Sequence, residues 1–227
     1  MMRTIQLAVA CVTVLIATAG QVQAGVILDF AGGSTMFGAG DYTVGFTFSV
    51  TAPVAVDGLA WWDEGGDGLN SPHEVGLWTG GGSLLASTFV SNGSTIEPST
   101  SGFGNWLITD IATLNLGLGD YVIGGVQPNS TGGDLLRFPA TATTISGIVF
   151  GVPIQHFGNG LTLTMPNFTG TGTGTTGIIG ALGPNLRLST AAVPEPSSLA
   201  LFGIGACVAC VGTARRRRRE QKQLATT

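Results

Sequence analysis

From Tyr42 to Val50 large apolar side chains fall at every second position, Val44, Phe46, Phe48 and Val50, with small or hydroxyl residues between most of them. Successive strand residues point to opposite faces, so this spacing predicts a half-buried strand. The same kind of signal predicts strands at Val56 to Trp62, Glu74 to Trp78, Leu84 to Val90, Trp106 to Ile108, Tyr121 to Val126, Ser146 to Val152, Leu161 to Met165 and Asn185 to Ser189. Gly, Asn, Asp and Pro punctuate the gaps, and Thr79-Gly80-Gly81-Gly82 is expected to turn a hairpin between Glu74–Trp78 and Leu84–Val90. With no helical period in this region, about nine or ten short strands predict an all-β body over residues 25–190, an antiparallel, jelly-roll-like β-sandwich. Its expected core is Phe46, Phe48, Leu59, Trp61, Val75, Leu77, Trp78, Phe89, Trp106, Ile108, Tyr121, Ile123, Ile148 and Phe150. Trp61 and Trp62 cannot both face that core, because neighbours along a strand point opposite ways. The Gly/Thr-rich stretch Asn159 to Gly183 is expected to be a loop.

The two ends of the chain break the alternation. Met1 to Ala24 carries Arg3, an apolar run from Ile5 to Ala19 and the small-residue ending Val22-Gln23-Ala24, the pattern of a secretory signal peptide cleaved after Ala24. Ser197 to Ala214 is uncharged and apolar, and as a helix it would be about 27 Å long, barely enough for a hydrocarbon core of about 30 Å. Arg215, Arg216, Arg217, Arg218 and Arg219 follow it, and such a cluster stays on the cytoplasmic side. The expected layout is signal peptide 1–24, folded body 25–190, transmembrane helix with its arginine stop within 193–219, and a polar tail 220–227.

Composition sharpens that division. The chain has 37 glycines and 10% charged residues, which suits turns and strands better than a helical enzyme core. Between Gly25 and Val193 stand two basic residues, Arg137 and Arg187, against eleven acids, a balance of −9. A nucleic-acid partner is thereby excluded, since phosphates need Lys and Arg. The three cysteines, Cys11, Cys207 and Cys210, all lie in the terminal apolar segments, so the body has no disulfide to rely on.

Ahead of the apolar run stands Val193-Pro194-Glu195-Pro196, where two prolines forbid helix and leave an extended strip open to a processing enzyme. Box, weak apolar segment and arginine cluster together resemble the PEP-CTERM sorting signal of Gram-negative bacteria. That resemblance implies processing of Pro194, Glu195 and Pro196 by exosortase, a membrane-embedded enzyme, after export by the secretion machinery through an inner-membrane intermediate. It also implies a destination at the cell surface, with links to extracellular polysaccharide and biofilm. The runs Leu59 to Leu69, His73 to Trp78, Leu84 to Ser87 and Gly119 to Gly125 are similar to a DUF4082-type domain, which implies a β-sandwich and no established chemistry.

Chemistry in the body is sparse. His73 and His156 are its only histidines, no Gly-x-Ser-x-Gly elbow accompanies them, and no phosphate loop or nucleotide fingerprint is present. No catalytic residue is assigned. Calcium is the one cofactor the residues raise: Asp63, Asp67, Leu69, Ser71 and Glu74 fall at the first, fifth, seventh, ninth and twelfth positions of a loop with Gly68 at the sixth, as in an EF-hand, although Gly65 occupies the third. An outward Trp62 would offer a sugar a stacking face, the alternative being a side chain covered by a neighbouring loop. The sequence therefore predicts a non-enzymatic structural or adhesive surface protein. The alternatives are a calcium-dependent carbohydrate-binding module and a small glycoside hydrolase or lyase.

Overall fold

The structure is a computed structural model that describes residues 25–36, 41–128, 134–138, 140–157, 160–169, 178–179 and 183–189. The cleavage position at Ala24, the Pro-Glu-Pro box, the apolar run, the arginine cluster and the tail lie outside the described residues.

The described residues form strands, turns and irregular segments, with no helix among them. In chain order the strands are β1 (Gly25–Val26), β2 (Leu28–Ala31), β3 (Ser34–Met36), β4 (Tyr42–Val50), β5 (Val54–Glu64), β6 (His73–Thr79), β7 (Leu84–Val90) and β8 (Thr95–Pro98). They continue with β9 (Gly104–Leu116), β10 (Gly119–Gln127), β11 (Leu136–Phe138), β12 (Ala140–Thr144), β13 (Ile148–Phe157), β14 (Phe168–Thr169), β15 (Ile178–Ile179) and β16 (Pro184–Leu188). A five-stranded sheet runs β1-β16-β5-β9-β8 and a six-stranded sheet runs β14-β13-β4-β10-β6-β7; β15-β12-β2 and β11-β3 form two smaller ones. Every pairing among them is antiparallel.

The alternation read in β4 holds in space. Val44, Phe46, Phe48 and Val50 are buried and share one apolar cluster with Leu59 and Trp61 of β5, Val75 and Leu77 of β6 and Ile123 of β10. That cluster draws on both large sheets: the Trp61 ring of the five-stranded sheet stacks on His73 of the six-stranded one, centroids 3.9 Å apart. It also crosses β10 at Gly125, where a Cβ would stand 2.4 Å from the indole. Burying such a surface supplies the fold's main driving force, in the absence of any cysteine in the body.

Several expectations are corrected here. Leu161 to Met165 forms no strand; it lies across the six-stranded sheet, with Leu163 over Gly76 and Pro166 over Gly124. Phe89 is 60% exposed on the edge strand β7, outside the core. Trp78 is buried, but on the opposite face of its sheet, in a small cluster with Val122 and Ile154. The predicted strand at Ser146 to Val152 begins and ends later, at Ile148–Phe157, and the register shift against β4 between Phe150 and Pro153 lets a proline sit within it. The Gly/Thr-rich stretch also supplies strand: Phe168–Thr169 pairs with β13 and Ile178–Ile179 with β12. The hairpin at Thr79 forms as expected, with the Gly82 N–H donating to the Thr79 carbonyl at 2.9 Å.

Candidate functional site

The acidic loop joins the end of β5 to the start of β6, and hydrogen bonds to its backbone from Asp63, Asn92 and Asp134 hold its shape. Asp63 is only 3% exposed, and both its carboxylate oxygens accept the Gly68 N–H, at 3.1 and 3.2 Å. Gly68 takes φ of +96°, a left-handed value that glycine adopts without strain. Asn92, from the turn after β7, clamps the other side: its Oδ1 accepts the Leu69 N–H at 2.5 Å and its Nδ2 donates to the Leu69 carbonyl at 2.8 Å. Glu74 stands beside the core-facing His73 on β6, so its side chain emerges from the other face of the strand. Asp63, Leu69 and Glu74 therefore do not converge as an EF-hand requires. Among the described residues no group of three or more His, Cys, Asp or Glu side chains could hold a metal ion. The expected calcium site through Asp63, Asp67, Leu69, Ser71 and Glu74 is thus not formed. Burial raises the Asp63 carboxyl above its usual range, the Gly68 N–H opposes that shift, and the charges of Asp67 and Asp134 add to it.

What the loop does instead is hold a buried acid and base together. His73 is fully buried; its Nδ1 lies 2.8 Å from the Val126 carbonyl and its Nε2 lies 2.6 Å from Asp134 Oδ2. A carbonyl can only accept, so Nδ1 carries a proton. Asp134 also accepts the Asn70 N–H at 2.8 Å, and its backbone carbonyl takes Gln127 Nε2 at 2.8 Å, which ties the loop to β10. With both ring nitrogens engaged and Trp61 over one face, His73 is a structural residue.

Trp62 is corrected in the same way. It is fully buried, because the far side of the five-stranded sheet is covered: Phe30 of β2 lies 4.6 Å away edge-on and Trp106, its cross-strand partner, lies 5.0 Å away. Its indole N–H donates to Glu64 Oε2 at 2.8 Å. Glu64 in turn receives the Arg137 guanidinium as a fork, Nε at 2.8 Å and Nη2 at 2.6 Å, while Arg137 stacks 3.5 Å above the Phe103 ring. A buried ring with its N–H committed has no face for a sugar. Glu64, Arg137 and Asp134 were not singled out in the sequence because the pairings that define them, Arg137 with Glu64 and Asp134 with His73, span 73 and 61 residues; the one available signal was that Arg137 is one of only two basic residues in the body.

The described surface does contain a groove of about 540 Å³ on the outer face of the six-stranded sheet. Thr47, Ser49, Asp120 and Val122 form its floor, and Val152 and Ile154 of β13 stand on one side. Met165, Pro166 and Asn167 of the segment crossing Gly76 and Gly124 form the other wall. Ser49 Oγ donates to Asp120 Oδ1 at 2.6 Å, Thr47 Oγ1 accepts the Val152 N–H at 2.9 Å, and His156 Nδ1 donates to Asn167 Oδ1 at 3.1 Å.

No curated protein and no solved structure matches the chain. Residues 192–219, which hold the Pro-Glu-Pro box, the apolar run and the five arginines, match the PEP-CTERM protein-sorting motif. That motif marks the chain for sorting by an exosortase system to the cell surface.

Proposed function

We propose that the chain is a non-enzymatic surface protein whose β-sandwich body, of DUF4082-like type, serves a structural or adhesive role among extracellular polysaccharides of a biofilm matrix. The sorting motif at residues 192–219 is the observation that carries this reading, since it provides both the route and the destination. The body's side chains support it: His73, Asp134, Glu64 and Arg137 are consumed in buried pairs that brace loops. Secretion and cleavage after Ala24 would deliver that body before the exosortase-type enzyme acts at the C-terminal box.

The test replaces Pro194, Glu195 and Pro196 with alanine and follows the chain by membrane fractionation and intact-mass analysis. Uncleaved precursor should accumulate in the membrane while the unfolding temperature of the body stays unchanged. Normal processing of the triple variant would overturn the sorting role of the box.

A further inference from the structure

We infer that the groove on the outer face of the six-stranded sheet is a calcium-independent binding site for a neutral saccharide. The groove's own chemistry selects that class. At about 540 Å³ it lies within the roughly 300–1,000 Å³ of small-molecule sites. Val152, 45% exposed, and the half-buried Met165 offer apolar surface of the kind the C–H faces of a sugar ring bury. Asp120 spends one oxygen on Ser49 and has a second to accept a hydroxyl, while Asn167, engaged through its Oδ1, has an amide N–H₂ to donate.

Other ligand classes fit less well. A wholly apolar ligand would strip water from Asp120 without replacing its hydrogen bonds, which costs free energy. An anion would meet that same carboxylate in a groove lined by no Lys or Arg. Sugar hydroxyls satisfy both halves of the lining, each as donor and acceptor.

The site is also built by the fold. Glycines at 76 and 124 allow the 160–167 segment to lie close against the sheet: a Cβ at Gly124 would stand 2.8 Å from Pro166, and one at Gly76 2.9 Å from Leu163. That close approach raises the wall carrying Met165 and Asn167 beside a floor that would otherwise be flat. The inference deepens the adhesive reading, and it rests on that reading only for the source of the saccharide.

The full-length chain, purified in detergent, is applied to an array of neutral gluco-, galacto-, manno- and xylo-oligosaccharides, together with oligogalacturonate and oligoglucosamine, with chelator present throughout. The best ligand is then titrated calorimetrically. A neutral oligosaccharide should bind saturably, and Asp120→Ala/Asn167→Ala should raise its Kd at least tenfold with the unfolding temperature unchanged. Val152→Trp, at a position already 45% exposed on the groove's side, should block the site independently by bulk. Absence of any neutral binder, preference for the acidic or the amine sugar, or binding that survives both variants would overturn the inference. Correct sorting with no sugar binding would reject the groove and leave the proposed function standing, whereas failed sorting with binding intact would do the reverse.

Discussion

At Asp63 and Arg137 burial decides what a charge is worth. The Asp63 carboxyl is shifted upward in the folded chain, so the native state holds its proton to higher pH than the unfolded state does. Stability should therefore fall as pH rises from about the ordinary carboxyl value of 3.8 through the folded value. Asp63→Asn keeps an acceptor for the Gly68 N–H and removes the ionisation, so urea melts across that range should show a flatter profile than the parent; an unchanged slope would remove Asp63 as its source. Arg137 and Arg187 make the contrast in ion pairing. Arg137→Ala strands Glu64 at 9% side-chain exposure, and breaking a buried pair in this way costs about 3–5 kcal/mol. Arg187 lies between Asp57 and the largely exposed Asp110, where water screens the pairing, and Arg187→Ala should cost about 1 kcal/mol or less. Chemical denaturation of the two variants side by side measures the difference.

Among the strands, β10 shows how glycine sets the spacing of a packed sheet. It pairs with β4 along its length and with β6 over five positions, and its Gly124 and Gly125 admit Pro166 on one face and the Trp61 ring on the other. Gly125→Ala would push a methyl into that ring, an overpacking that costs about 1–3 kcal/mol. The expected result is a lower denaturation midpoint with an altered near-ultraviolet signal from Trp61; an unchanged midpoint would mean that the sheets separate freely. The pairing of strands was legible to different depths. β4, β6, β7 and β10 are visible in the sequence because each carries its own apolar period or flanking turn. The strands β2 and β12 are not, since Leu28–Ala31 and Ala140–Thr144 are short and pair with each other across more than a hundred residues.

For the whole molecule, the sorting motif lies at residues 192–219. On the proposed reading the apolar segment Ser197 to Ala214 would be a marginal anchor, with the arginines at 215–219 the main feature opposing its translocation. Deleting those five residues should shift the protein from the membrane fraction toward the soluble extracytoplasmic one. Retention equal to the parent's would show that the apolar segment holds the membrane alone.

Sorting was readable in one dimension because the Pro-Glu-Pro box, the apolar run and the arginines form one contiguous motif at residues 192–219. The antiparallel all-β class was readable for a related reason: strand alternation has a period of two and needs only local sequence. Side-chain fate was not local. Trp62 read as outward because the sequence does not show that Phe30 covers the second face of β5, and Asp63 to Glu74 read as a calcium loop because nothing near them reveals the clamp from Asn92. Burial and hydrogen-bond partnership depend on which distant segments arrive, so only the tertiary structure could turn a stacking platform into core, a metal loop into a brace for His73 and Asp134, and a flat sheet face into a groove.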